Sequence, residues 1–221
     1  MSAFALRTAS LAAFYEESRG TRFFLALVAG LLNVSEYLLR DADTHWHIAV
    51  GRWIWESRSV PWTDVFSHTF AGAPWIAKEW LSQLIFHGAF AAAGWRGVAA
   101  LTAIVIAASF ALLFQWLRCR LHTTAALVIT LLAFALATFS LHARPHVLVF
   151  PILVLWTGGL VEAAVRGSPP WRLVPLMMLW ANLHGSFTIG FPLAGILAPL
   201  GPTSPREESG VGFPTFHMYR R

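Results

Sequence analysis

Three apolar stretches near residues 95–117, 123–141 and 147–165 are each long enough to cross a bilayer as one helix. A spanning helix needs about 20 predominantly apolar residues, with roughly 17–25 as the working range. Within lipid every backbone polar group must be satisfied internally, so stretches of this length fold as helices. A weaker first span covers 22–39, where Asn33, Ser35 and Glu36 interrupt the second half. The stretch from Trp171 to Leu200 is broken by the polar run Asn182–Ser186 and reads as two short helices folded back around that break. Irregular backbone at such depth is tolerated only when it is buried in protein or lines a wet cavity. The chain is 57% hydrophobic and 12% charged, whereas soluble domains are about 25% charged, which excludes an ordinary soluble domain. Disorder is excluded too, because it requires low hydrophobicity and high charge. The single Cys119 excludes an intramolecular disulfide and a cysteine-based metal cluster. The expected fold is therefore an all-α polytopic membrane protein with about six transmembrane helices and two interfacial helices in its first outer loop.

The organisation follows from the spans. Residues 1–21 read as a cytosolic leader without a cleavage site, residues 22–200 as the transmembrane domain, and residues 40–94 as its long outer loop. Residues 201–221 shift to a polar composition and read as a disordered tail or an aberrant, truncated end. Net charge is +5, and every cation except Lys78 is an arginine. These arginines are scattered between apolar runs, which favours lipid headgroups over nucleic acid as the partner. Arg7, Arg19 and Arg22, then Arg118 and Arg120, then Arg166 and Arg172 make alternate short segments basic. The positive-inside rule then places the N-terminus in the cytoplasm and the segments 40–94, 142–146 and 182–186 outside.

Seven of the eleven tryptophans fall in the 40–94 loop and its rim, and tryptophan favours the headgroup region. The loop is thus expected to lie on the membrane surface. In 44–57, Trp46, Ala49, Val50 and Trp53 make a stripe that would dip into lipid. In 77–91, Glu79, Gln83 and His87 make a polar stripe at helical spacing.

Most histidines and carboxylates sort to the same outer side, and ionisable residues near a bilayer mark functional cavities. Asp41 and Asp43 stand two apart, so they can share a cation, or one can act as a base that the other tunes. Asp43 and His47 are i, i+4 and face one way on a helix. Asp43 or Thr44 can equally cap that helix. Asp41, Asp43, His45 and His47 also offer oxygen and nitrogen donors to a divalent metal, the one cofactor these residues suggest. In Arg144-Pro145-His146, the proline biases Arg144 toward extended backbone and ends the preceding helix. Arg144 with His146 can then grip a phosphate, or the arginine can simply snorkel to the interface. Asn182 and His184 lie where two half-helices meet and can bind a polar headgroup, or the run can be a plain turn.

Several blocks in order carry a resemblance. Asp-x-Asp-Thr-x-Trp-His-x-x-x-Gly-Arg from Asp41, Pro-x-Thr-Asp-x-Phe-Ser from Pro61, Glu-Trp-Leu-Ser-Gln from Glu79, Arg144-Pro145-His146, and Trp180 to Gly185 together resemble a family of bacterial multi-pass membrane proteins. That family is similar to the GT-C glycosyltransferases, including the dolichyl-phosphate-mannose-protein mannosyltransferase and lipid A aminoarabinose transferase groups. The resemblance covers about residues 25–200 and implies a bacterial inner membrane and a polyprenyl-phosphate-linked sugar donor on the outer face. It implies Asp43, or Asp41, as the catalytic base and Glu79 as a second acidic residue. Charge and side suggest that Arg144 and His146 hold the lipid phosphate, with His47, Asn182 and His184 around the ligand. Relatives of this kind are about twice as long, so a partner chain supplying further helices belongs to the expectation. The competing reading is a non-enzymatic binding or transport component for a lipid-linked or anionic ligand.

Overall fold

The computed structural model describes residues 19–167 and 170–197. Eight helices follow in order: α1 over 19–33, α2 (Ser35–Leu38), α3 (Asp43–Ser57), α4 (Trp80–Arg118), α5 (Thr123–Ala137), α6 (Phe150–Arg166), α7 (Val174–Leu183) and α8 (Gly190–Leu197). Short 3-10 turns precede α6 (Pro145–Val149) and α8 (Gly185–Ile189). Among the described residues there is no strand, only one isolated bridge between Thr63 and Pro74. Three helical segments are long and apolar enough to cross a membrane: Trp80–Arg118, Thr123–Ser140 and Pro145–Arg166. The leader and the tail fall almost wholly outside the described residues, and the described residues 19–21 already belong to α1.

The expected first span is divided. Helix α1 stops where its polar half begins, Asn33 donates its amide back to the Ala29 carbonyl at 2.7 Å, and a turn at Val34 leads into α2. The 95–117 span exists, but it is joined to the second loop helix to form α4. The corner is Ala93–Gly94, where Gly94 has φ +57°, a left-handed conformation open to glycine at little cost. The chain around 182–186 does form two short helices, α7 and α8, folded around a polar break.

Helix α4 is the hub of the bundle and packs against α3, α5, α6 and α7. Its inner face carries Phe86, Val98, Ala103, Ile106 and Ala107, which are buried in one core with Leu38, Val147, Ile152 and Trp180. Between helices in lipid there is little hydrophobic driving force, so close packing of small residues matters more. Gly51 of α3 supplies such a contact: a β-carbon there would lie 2.0 Å from the Gln83 carbonyl oxygen of α4.

That contact corrects both amphipathic stripes. Val50 is fully buried in protein, and the inner face of α3 is Thr44, His47, Ile48, Gly51 and Ile54. Of the rest of the stripe expected to meet lipid, Trp46 and Ala49 are exposed and Trp53 is half-buried, and Trp46 packs edge-on against Phe66 at 4.8 Å. On α4, Gln83 is buried against α3 and does not face water. The period was right, but which side of each helix meets protein depends on a contact 32 residues away in sequence.

The two ends of the bundle differ in charge. One end joins α4 to α5 and α6 to α7, with Arg118, Arg120, Arg166 and Arg172. The start of α1 is there as well, since a β-carbon on Gly20 would meet the Gln115 side chain. At the other end, loops are stitched by hydrogen bonds to backbone carbonyls. The Thr44 hydroxyl donates to the Ala143 carbonyl at 2.8 Å, the Ala143 N–H to the Leu38 carbonyl at 2.8 Å, and the Ser82 hydroxyl to the Leu183 carbonyl at 2.6 Å. Each stitch satisfies a carbonyl that a helix end or loop would otherwise leave orphaned.

Gly51→Val is expected to force α3 off α4 and lower the unfolding free energy by about 1–3 kcal/mol. Gly30→Val, where nothing lies within 4 Å of the added carbon, should change it far less. Thermal unfolding in nanodiscs, followed by tryptophan fluorescence, compares the two.

Candidate functional site

The stitched end encloses a polar cavity of about 430 Å³. Its wall comes from four separate segments. Helix α3 contributes Asp43, Trp46 and His47, and the start of α4 contributes Glu79. The turn before α6 adds Arg144, Pro145 and His146, and the α7–α8 break adds His184. Asp43 and His47 reach it together because they stand one helical turn apart. Glu79 sits one turn before Gln83, so α3 and α4 run side by side from the cavity.

Arg144 is the central charge. Its backbone is extended (φ −128°, ψ 158°), as the following proline favours. Its Nε lies 2.6 Å from Asp41 Oδ2, and its terminal nitrogen is paired with Asp43 Oδ2. The arginine therefore binds both carboxylates at once, and Asp41 stands behind it with its side chain only 17% exposed. Asp43 is more open, and its Oδ1 makes no hydrogen bond with a described residue. Neither Asp43 nor Thr44 caps α3; the N-cap is Ala42. Asp41 Oδ1 instead accepts the Asp43 N–H at 2.9 Å, and Asp43 occupies the first turn, where a negative charge is favoured by the helix dipole.

The histidines are differently held. His47 is nine-tenths buried, and its Nδ1 has no hydrogen-bond partner. Burial lowers its pKa to about 4, outweighing the nearby Asp43 carboxylate, so the ring is neutral at pH 7. His146 Nε2 lies 2.6 Å from the Ser140 carbonyl, which makes that nitrogen a donor. His184 Nδ1 accepts the Ser186 N–H at 3.1 Å, which leaves the ring proton on Nε2, 3.4 Å from Glu79 Oε1. Glu79 is half-buried, and desolvation raises its pKa above the usual glutamate value against the opposing pull of Lys78.

The proposed metal quartet is not assembled. Among the described residues no group of three or more His, Cys, Asp or Glu side chains converges as a metal site. Asp41 and Asp43 are taken by Arg144, and the His45 ring packs against Trp95 at 4.6 Å. His45 and His47 are two residues apart on a helix and so point to different sides. Asn182 lies apart from this cavity. Its Oδ1 accepts the Trp80 indole N–H at 2.8 Å, and it lines a second cavity, not this one. Two wall residues were not picked out by sequence reasoning. In the sequence Trp46 reads as a lipid-facing residue, and Pro145 only as the residue that sets the backbone of Arg144. Lys78, which acts electrostatically on both Glu79 and His184, was likewise passed over; it is the sole lysine in the chain.

Fold and site together define a helical membrane protein with an ionisable cavity at one end of its bundle. No protein-family model, no curated protein and no solved structure matches the chain. The functional reading rests on the motifs and the cavity themselves.

The neutral, buried His47 makes stability depend on pH with a definite sign. Its unfolded pKa is 6.5 and its folded pKa about 4, so between these values the unfolded chain binds the extra proton. Stability should fall by roughly 1–3 kcal/mol as pH drops from about 6.5 to 4. Glu79, with a raised pKa, acts in the opposite sense near its own titration. The His47→Gln variant isolates the histidine: its unfolding curves at the two pH values should differ by correspondingly less than those of the wild type.

Proposed function

We propose that the protein is a GT-C-like glycosyltransferase, or the N-terminal half of one, that takes a polyprenyl-phosphate-linked sugar at the outer face of a bacterial inner membrane. In this reading about six helices cross the bilayer, with α1–α2 and the α7–α8 pair adding to the three long apolar segments, and the N-terminus is cytoplasmic. The single observation that carries the reading is the convergence of Asp43, His47, Glu79, Arg144, His146 and His184 on one cavity. These residues come from four of the five blocks that carry the family resemblance.

The chemistry assigned to the cavity is an in-line displacement. An acceptor hydroxyl oxygen bonds to the anomeric carbon, the bond from that carbon to the phosphate oxygen breaks, and the hydroxyl proton passes to Asp43 through its uncommitted Oδ1. The electron pair leaves on the lipid phosphate, where Arg144 and His146 stabilise the growing charge. Electrostatic stabilisation of this kind is usually the largest single contribution to catalysis. Asp41 keeps Arg144 in place, and the neutral His47 offers a hydrogen-bonding nitrogen to a sugar hydroxyl. Glu79, with its raised pKa, is the second acid.

One observation favours the non-enzymatic alternative. Arg144 is already paired with Asp43, so a phosphate has to compete for the guanidinium. A binding component would tolerate that arrangement. The outward face of α5, with Val128, Leu132 and Leu136 exposed, is available to lipid or to the helices of a partner chain.

Purified protein in nanodiscs, titrated with polyprenyl-phosphate sugars, tests the reading by following both ligand binding and release of free polyprenyl phosphate. Asp43→Asn should retain binding and lose turnover by about 10²–10⁴-fold, the usual contribution of a general base. Arg144→Lys should weaken binding, because a point charge cannot replace a planar fork. Binding without turnover in the wild type would select the binding-component reading, and no binding at all would refute both.

A further inference from the structure

A second cavity, of about 420 Å³, is lined in part by the short segment that leads into α4. Lys78 lines this cavity and its neighbour Glu79 lines the first, so consecutive residues contribute to both walls. Its wall is mostly apolar, with Pro61, Ile76 and two indoles, Trp62 and Trp80. Trp62 is 73% exposed and Ile76 68% exposed. The polar lining is limited to Lys78 and Asn182, and the Lys78 ammonium lies close to Gly185 at the α7–α8 break. Trp80 is fixed there by its indole N–H bond to Asn182 Oδ1, and Asn182 in turn donates to the Met178 carbonyl at 2.7 Å. One amide hydrogen and one lone pair of Asn182 remain for a ligand.

We infer that this second cavity binds the phosphate headgroup of an anionic membrane lipid, with Lys78 on the phosphate, Asn182 on a headgroup hydroxyl, and Trp62 and Ile76 against the upper part of the chains. Charge complementarity carries the choice of occupant. Arg144 and Arg166 are both paired with carboxylates, while Lys78 forms no ion pair with any described residue. An ammonium is a compact point charge that suits a phosphate. The surrounding wall is the wrong chemistry for a free ion, since inorganic phosphate gains nothing from two indoles and an isoleucine. An amphiphile satisfies both halves, and indoles favour the headgroup level of a membrane. Where the proposed glycosyl transfer holds, this lipid lies beside Glu79 and is the candidate acceptor. The site itself does not require that transfer.

The test is a calorimetric titration of the detergent-solubilised full chain with short-chain phosphatidylglycerol, short-chain phosphatidylcholine of equal chain length, and inorganic phosphate. Phosphatidylglycerol should bind at least about tenfold more tightly than either of the others. Lys78→Gln should reduce that affinity by about 10- to 100-fold, the range expected for loss of a charge-assisted hydrogen bond, and Lys78→Arg should restore most of it. Trp62→Ala should weaken it as well, while Arg172→Gln, a basic residue at the opposite end, should leave it unchanged. Asp43→Asn should also leave it unchanged, which separates this site from the first cavity. Equal affinity for phosphatidylcholine, or equal loss in Arg172→Gln, would overturn the proposal as non-specific lipid adsorption. Equal affinity for inorganic phosphate would overturn the lipid as occupant.

Discussion

The ionisable end of the molecule depends on Arg144 holding Asp41 and Asp43 at once. This ion triad joins two chain segments about a hundred residues apart, and the Thr44–Ala143 hydrogen bond fastens the same seam. Removing the arginine would leave two carboxylates facing each other, one of them largely buried. Arg144 and Asp43 are both open to solvent, where an ion pair adds little to stability. What the triad contributes is position more than stability. It fixes the entry angle of α3, and with it the placement of Trp46 and His47 in the cavity wall.

Why the remaining wall gathers at the same end follows from backbone accounting. Every helix that stops in a bundle leaves carbonyls and N–H groups unpaired. At this end they are met by Thr44, Ser82 and the Ala143 N–H. The His184 ring accepts the Ser186 N–H at the start of the α8 turn in the same way. Polar side chains recruited to satisfy loops thus lie next to those that face the cavity. At the opposite end the surface is arginine-rich and frames no comparable ionisable cluster among the described residues. The charge asymmetry that suggested an orientation in the membrane is thus also an asymmetry of structure.

Much of this was legible in the sequence, because it rests on local rules. Continuous apolar runs marked the long helices, the i, i+4 spacing put Asp43 and His47 on one face, and Pro145 set the backbone of Arg144. The polar run at Asn182–Ser186 marked a break between two helices. What was not legible depends on contacts between distant segments. Nothing local in α3 reveals that Gly51 meets the Gln83 carbonyl, yet that approach decides that Val50 is buried and that Gln83 faces protein. The metal quartet failed for a related reason. Adjacency in sequence put four donors within seven residues, but helical rotation sent His45 to Trp95 and a distant arginine claimed both aspartates. Lys78 carries no local signal in the sequence, because its place beside Glu79 and His184 is set only by the fold.

The cavity also separates its acids by environment. Asp43 is ion-paired and open to solvent, whereas Glu79 is half-buried with an imidazole as its nearest partner, and desolvation pushes its pKa up. Two carboxyl groups thus share one space in different surroundings, one paired with a guanidinium and the other half-buried beside an imidazole. A site evolved only to hold an anion would gain from cations and neutral donors and would lose from every carboxylate. Three carboxylates around one arginine and one nearby lysine work against simple anion binding.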